Sequence, residues 1–151
     1  MKAGEDDAEA RMLGDVNLFI YPDDAEEGDE AGRRVFGEVD VMLAETSHRR
    51  HGHGKAAVQT LLLFLKRNLR PILAEYASFT NSGDVGDIKL DRLVAKIKDR
   101  NEPSKVLFKS LGFVPKGEVN YFGEVEMALE GFGTVLPWEG EDYEEVEYRA
   151  L

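Results

Sequence analysis

The most informative stretch of the chain reads Arg49-Arg50-His51-Gly52-His53-Gly54-Lys55-Ala56-Ala57. It follows an alternating, β-branched segment at Val39–Ala44 and precedes a long apolar run with helical spacing. Two glycines one residue apart let the backbone approach a ligand closely, and the first N–H groups of a helix have no partner within it. The sequence therefore predicts a strand, an anion-binding turn and a helix, with a ligand that carries a pyrophosphate.

The net charge of −11 is unevenly distributed along the chain. Basic residues outnumber acidic ones between Arg33 and Lys116, whereas acidic residues concentrate in the N-terminal leader, in the Asp23–Glu30 loop and after Glu139. A basic middle suits a small polyanionic ligand. The acidic flanks would repel the phosphates of nucleic acid, so we expect no nucleic-acid partner.

Length and composition limit the class of protein. The 151 residues fit one domain, and the absence of cysteine excludes disulfides, a thiolate nucleophile and a cysteine metal site. No apolar stretch reaches the length of a membrane span, and the N-terminus lacks the apolar core of a signal peptide. We expect a soluble, cytoplasmic protein without a membrane partner, with an acidic leader at 1–10, one domain at 11–138 and an acidic tail at 139–151.

Hydrophobic periodicity predicts elements in the order ββαβαββ. Two strands, Met12–Tyr21 and Val35–Ala44, form an antiparallel hairpin, and the helix after Gly54 is broken or kinked at Pro71. The later predicted elements are a helical piece at Ile72–Phe79, a strand at Leu93–Asp99, a helix between Asn101 and Gly112, and strands at Glu118–Phe122 and Glu124–Leu129. Because the central strand–helix–strand unit requires a parallel pair, we expect a mixed α/β sheet.

Three other interpretations of the glycine turn stay open. Gly52–Ala57 fits the dinucleotide pattern G-x-G-x-x-A, with Glu75 at a suitable distance for a ribose contact, although that glutamate falls in a helical stretch. A zinc site is suggested by His48, His51 and His53, but the adjacent arginines repel a cation and no carboxylate completes the set, so we expect no metal. The third interpretation is a structural turn without a ligand.

The pattern Arg-x-x-Gly-x-Gly between a strand and a helix resembles the acetyl-CoA loop of the GNAT (GCN5-related N-acetyltransferase) superfamily. Glu38–Glu45 resembles the fourth family strand, Leu93–Ser104 the fifth strand with its asparagine turn, and Leu107–Phe113 the fourth helix with its Gly-Phe end. Gly14–Phe19 and Phe122–Glu124 are similar to the N-acetyltransferase 9-like branch. The resemblance implies a GNAT-like mixed α/β fold.

The same resemblance implies that acetyl-CoA is the co-substrate. Its pantetheine arm would add to the edge of the fourth family strand where that strand splays from the fifth, and its pyrophosphate would lie on the glycine turn. Asn101 and Ser104 would contact the arm near the thioester. The implied cofactor-binding residues are Met42, Leu43, Ala44, Arg49, Arg50, His51, Gly52, His53, Gly54, Lys55, Asn101, Ser104 and Phe108.

The implied reaction is direct acetyl transfer to a protein or peptide amine, either an α-amino group or a lysine. The attacking amine must be neutral, which an α-amino group of pKa about 7.7–8.0 nearly satisfies at physiological pH. Glu38 and Glu124 are the candidate bases, acting directly or through water. Many family members use a tyrosine to protonate the departing thiolate, and the matching position here is Phe108, which cannot do so.

The resemblance also implies that the family's N-terminal strand, two helices and strand, which build one wall of the acceptor site, are absent ahead of Met12. We therefore expect Met12–Tyr21 at an exposed sheet edge, where pairing with a second copy would give an oligomer. Two functions stay open. One is an active N-acetyltransferase, with tubulin among the acceptors associated with this branch, and the other is a catalytically impaired CoA-binding remnant that acts as an interaction protein.

Overall fold

The computed structural model describes residues 11–23, 34–80 and 88–132. Within these ranges the α/β class and the ββαβαββ order are confirmed, with the first helix in two pieces. The strands are β1 (Gly14–Pro22), β2 (Arg34–Leu43), β3 (Lys89–Lys98), β4 (Val114–Lys116) and β5 (Glu124–Glu130), and the helices are α1 (His53–Arg67), α2 (Leu69–Thr80) and α3 (Glu102–Ser110). The predicted leader at 1–10 and the tail at 139–151 lie outside the described residues.

The five strands form one mixed sheet in the order β1-β2-β3-β5-β4. Only β2 and β3 are parallel, and α1 and α2 lie between them in sequence. The pairs β1–β2, β3–β5 and β4–β5 are antiparallel. The predicted hairpin and the predicted parallel pair are therefore both confirmed, and among the described strands β1 lies at one edge of the sheet, as expected.

The core lies between one face of the sheet and helices α1 to α3. Alternate residues of β2 are buried, starting with Val35, which is the period expected of a half-buried strand. On α1 the predicted apolar face is confirmed, since Val58, Leu62 and Leu65 are fully buried. The opposite sheet face carries charged side chains of β3 and β5. Among the described residues, no helix combines the length and apolarity needed to span a membrane.

The break between the two central helices lies at Asn68 rather than at the predicted Pro71. The backbone N–H of Asn68 makes the last helical hydrogen bond of α1, to the Phe64 carbonyl at 2.9 Å, and the side-chain Nδ2 of Asn68 donates to the same carbonyl at 3.0 Å. Pro71 then falls in the first turn of α2, where its missing N–H costs nothing. The break that Pro71 causes in the helix therefore lies one turn before the proline itself.

The predicted strand at Glu118–Phe122 is wrong. These residues form a loop, and the strand that pairs with β5 is the earlier β4. The Oδ1 atom of Asn120 accepts hydrogen bonds from the backbone N–H groups of Phe122, at 2.9 Å, and Glu124, at 3.0 Å. Because this local side-chain bonding competes with strand pairing, the alternation of the segment is misleading.

Candidate functional site

The central feature of the molecule is a cleft between β2 and β3. The parallel register ends where Glu38 pairs with Val94, although β2 continues to Leu43 and β3 to Lys98. Past this vertex, within the described part of the chain, β2 remains paired only to β1 and β3 only to β5. The two strands therefore splay as the resemblance implies, and each leaves backbone groups facing the other across the cleft.

The hydrogen-bonding pattern decides which residues of β2 face the cleft. Ala44 donates its N–H to the Leu13 carbonyl at 3.0 Å, and the Met42 carbonyl lies against Gly14. Since backbone groups in an antiparallel pair alternate in direction, Met42 and Ala44 direct theirs to β1. Sequence reasoning named Met42, Leu43 and Ala44 but omitted two other residues. The residues whose backbone groups face the cleft are Val39, Val41 and Leu43.

Arg49 holds the end of β2. Its guanidinium donates from Nε and Nη2 to the Leu43 carbonyl, at 3.1 and 2.8 Å, and from Nη2 to the Ala44 carbonyl, at 3.3 Å. Sequence reasoning placed this cation beside a pyrophosphate. In the structure its charge is directed at strand carbonyls, so Arg49 ties the glycine turn to the open end of the cleft.

The glycine turn leads directly into α1. Gly52 is the N-cap of the helix with φ of 87°, and Arg50 before it also has a positive φ of 65°. Among the described residues no side chain caps this helix, and its first intrahelical bond runs from the Ala56 N–H to the Gly52 carbonyl at 3.0 Å. The N–H groups of the first turn therefore point out of the helix as an anion-binding end. These N–H groups belong to His53, Gly54 and Lys55.

Gly54 contributes in a different way, through close packing. Its backbone is buried, and a Cβ at this position would lie 3.0 Å from Cδ1 of Leu107 on α3. The missing side chain allows α1 to approach α3 closely at the end of the cleft. The two glycines of the motif thus serve separate purposes, since Gly52 supplies a left-handed conformation and Gly54 supplies space.

The three histidines cluster loosely around the turn. The ring of His53 lies 6.4 Å from that of His48 and 6.2 Å from that of His51, between centroids, and all three are exposed. In the described part of the chain, no group of three potential ligands is arranged to hold a metal ion. Glu75, the ribose contact of the dinucleotide interpretation, lies on α2 rather than at a strand tip.

Of the residues predicted to contact the cofactor here, Asn101 and Ser104 lie at the N-terminus of α3, and Phe108 packs in the core of the protein. Asn101 is the N-cap, and its Oδ1 accepts from the Ser104 N–H at 3.3 Å. Phe108 is only 3% exposed, with its ring edge-on to that of Phe113 at 5.0 Å between centroids. The Phe108 side chain therefore packs in the core and offers no proton to the cleft.

The two candidate bases are both ion-paired on the sheet face opposite the helices. Glu38 Oε2 lies 2.7 Å from Lys96 Nζ. Glu124 Oε1 lies 2.9 Å from Lys98 Nζ, and its Oε2 accepts from Asn120 Nδ2 at 3.3 Å. The Lys98 and Asn120 contacts lower the pKa of Glu124, which makes this carboxylate a weaker base. Sequence reasoning missed both lysines, because their partners lie on other strands.

Replacing Lys98 by methionine is expected to raise the pKa of Glu124 toward its ordinary value. A lowered carboxyl pKa stabilises the fold above the unfolded value near 4.5, and this contribution is lost as pH falls through the lower folded pKa. The K98M protein should therefore lose less stability on acidification than the wild type. An NMR titration of the Glu124 side chain measures the shift directly, and identical curves for the two proteins would contradict it.

The fold and the cleft together define the class of the domain. It is a mixed α/β domain whose central parallel strands open toward an uncapped helix N-terminus. The sequence model of the acetyltransferase (GNAT) domain matches residues 3–114. The chain therefore belongs to the GNAT acetyltransferase family.

Solved structures show the same fold. An acetyltransferase of the GNAT family from Streptococcus pneumoniae superposes with a TM-score of 0.51 at 15% identity, over 81% of this chain and 61% of that one. Arabidopsis thaliana NAA60, determined in complex with acetyl-CoA, gives a TM-score of 0.50 at 16% identity, over 79% of this chain and 66% of that one. At these identities the similarity concerns the fold alone.

Sequence relatives lie in the N-acetyltransferase 9-like branch. The N-acetyltransferase 9-like protein of Schizosaccharomyces pombe is 30% identical over 78% of this chain and 56% of its own length. The protein of that name from Caenorhabditis briggsae is 35% identical over 80% and 50%. The mouse alpha/beta-tubulin-N-acetyltransferase 9 is 35% identical over 80% and 39%. The chain thus spans about half the length of the curated relatives it matches.

Proposed function

We propose that this chain binds acetyl-CoA and transfers its acetyl group to an amine. The observation that carries the proposal is the cleft that opens past Glu38 and Val94 and ends at the anion-binding turn of α1. Membership of the GNAT family supports the same cofactor and the same reaction.

The diphosphate would bind the N–H groups of His53, Gly54 and Lys55, with Arg50 and Lys55 adding positive charge. From there the pantetheine arm would run back along the free edge of β2 like an added strand. The arm would cover the strand from Leu43 to Glu38, a length of roughly 16 Å at about 3.3 Å per residue. The thioester would then lie near the vertex, where a β2 N–H stabilises the oxyanion.

Glu38 is the better of the two candidate bases. It lies at the vertex, at the last paired position of β2, whereas Glu124 lies beyond β3 and is held by both Lys98 and Asn120. The role of Glu38 would be to accept the proton that the amine loses as it attacks the thioester, directly or through water.

The acceptor would be a protein amine. The names of the mouse, human and Drosophila relatives make the α- and β-tubulin chains the first acceptors to test. An α-amino group is favoured over a lysine, because its lower pKa leaves more of the neutral form at neutral pH. Action on tubulin would place the protein in the cytoplasm.

The alternative function is CoA-dependent binding without turnover. Two observations favour it: both candidate carboxylates are ion-paired, and the ring of Phe108 has no proton to donate. Both functions require CoA binding, so only turnover separates them.

Titration calorimetry with CoA is expected to give a dissociation constant between about 1 μM and 1 mM, the usual range of enzyme KM values. Pantetheine, which lacks the diphosphate, should bind far more weakly. Turnover is then measured as thiol release from acetyl-CoA with tubulin and peptides as acceptors, against a blank of acceptor alone, and the chain itself adds no thiol because it has no cysteine. CoA binding without any thiol release would support the alternative, and no binding would exclude both functions.

A further inference from the structure

The Glu38–Lys96 ion pair bridges the vertex of the cleft. Glu38 is the last residue of β2 that pairs with β3, and its partner there is Val94. Lys96 lies on β3 two residues past Val94. The 2.7 Å contact between Lys96 Nζ and Glu38 Oε2 therefore joins the two strands just where their backbones separate. An arm lying between the strands would bring its thioester beside this pair.

The surroundings of Lys96 keep it protonated. Its pKa is raised, chiefly by the hydrogen bond to Glu38, against a smaller lowering by burial. The pKa of Lys96 is raised further by the charge of Glu38, by Glu126, which pairs with Lys96 from β5, and by Tyr21 on β1. Lys98, the next cation on that sheet face, is paired separately. Lys96 is thus an ammonium donor throughout the neutral range.

Acetyl transfer produces a thiolate that must gain a proton. Phe108 cannot supply it, because its ring is buried in the core and carries no acidic hydrogen. A lysine ammonium alone is a poor source, since its pKa of about 10.4 exceeds that of a thiol, about 8.5. A carboxylic acid that returns the proton to the lysine makes the overall transfer favourable.

We propose, building on the acetyl transfer argued above, that Glu38 and Lys96 form a proton relay from the attacking amine to the departing thiolate. The amine nitrogen forms a bond to the thioester carbonyl carbon, and the carbon–sulfur bond breaks with its electron pair on sulfur. Glu38 takes the surplus proton from nitrogen while Lys96 donates one to sulfur. The proton on Glu38 then passes to Lys96, which restores the ion pair and leaves an amide and free CoA thiol.

Lys96→Arg is the decisive variant. Arginine keeps the positive charge and can hold Glu38, but its guanidinium does not give up a proton in proteins. Lys96→Met removes both functions, and Glu38→Gln removes the proton acceptor. Lys116→Arg is the matched control, because Lys116 forms a 2.7 Å ion pair with Glu130 on the same sheet, away from the cleft. Each full-length variant is assayed for CoA affinity by calorimetry and for thiol release with the tubulin and peptide acceptors.

K96R, K96M and E38Q are each expected to lower kcat about 100-fold, the scale of general acid–base catalysis, with CoA affinity within about twofold of wild type. K116R should match the wild type. The E38Q/K96R double variant should be no slower than the slower single variant, because both act in one relay. Wild-type kcat in K96R would reduce Lys96 to a structural brace and overturn the relay. Independent losses that multiply, or lost CoA binding in K96R, would also overturn it. A wild-type protein without turnover would refute the proposed function itself, which is recognisable because the unaltered chain is then inactive.

Discussion

Gly54→Asp is expected to weaken CoA binding by about 100-fold or more. The new carboxylate would lie at the buried start of α1, where it would occupy the N–H groups offered to the diphosphate and repel that ligand's charge. Like charges about 4 Å apart repel by a few kcal/mol near a protein surface, which corresponds to at least this factor. Calorimetric titration of the purified variant with CoA measures the loss.

Gly54→Ala is the matched control for this variant. Its Cβ would lie 3.0 Å from Cδ1 of Leu107 and 3.8 Å from Cδ1 of Leu43, and the closer of these flexible side chains can move by a few tenths of an ångström. Affinity for CoA should change by less than about threefold, because the added methyl carries no charge. If a folded Gly54→Asp protein, verified by its thermal melt, bound CoA as tightly as the alanine variant, the diphosphate would not lie at this turn.

Leu62→Ala is expected to lower the free energy of unfolding by about 2–5 kcal/mol, the usual cost of removing a large buried side chain. Leu62 is fully buried on the inner face of α1. The shortened side chain would leave a cavity in the core that the rigid sheet cannot fill. Chemical denaturation followed by circular dichroism measures the change.

Phe64→Ala tests whether position rather than size causes this loss. The phenyl ring of Phe64 is larger than the Leu62 side chain but is 43% exposed on the same helix. Its removal should cost about 1 kcal/mol or less, because much of its apolar area remains in water in the folded protein. A larger loss for Phe64→Ala than for Leu62→Ala would contradict the assignment of the inner face of α1.

The parts of the fold predicted correctly are those where burial sets the pattern. Alternation in β2 and the helical spacing of Val58, Leu62 and Leu65 follow directly from one buried face. The errors arose where side chains bond the backbone locally. The Asn68 side chain bonds the Phe64 carbonyl where α1 ends, and Asn120 organises a loop from residues that alternate like a strand. Such contacts leave no mark on hydrophobic periodicity.

The features of the candidate site also fall into those that the local sequence predicts and those that it does not. The glycine turn was predictable because its conformation is local, with Gly52 supplying the left-handed N-cap. The pairing of Lys96 with Glu38 was not, since it depends on the register of two strands far apart in sequence. One missed residue could have been found from the sequence. Backbone groups alternate in direction along an antiparallel strand, so if Leu43 faces the cleft, Val41 faces it too.

The hydrogen bonds from Arg49 to the carbonyls of Leu43 and Ala44 have a thermodynamic consequence. It locks the turn to the strand end before a nucleotide arrives, so the two halves of the binding surface are already at their working separation. A preorganised surface loses little conformational entropy when a ligand binds. Loss of this guanidinium would therefore appear mainly as a less favourable entropy of association, even where the enthalpy of the phosphate contacts is preserved.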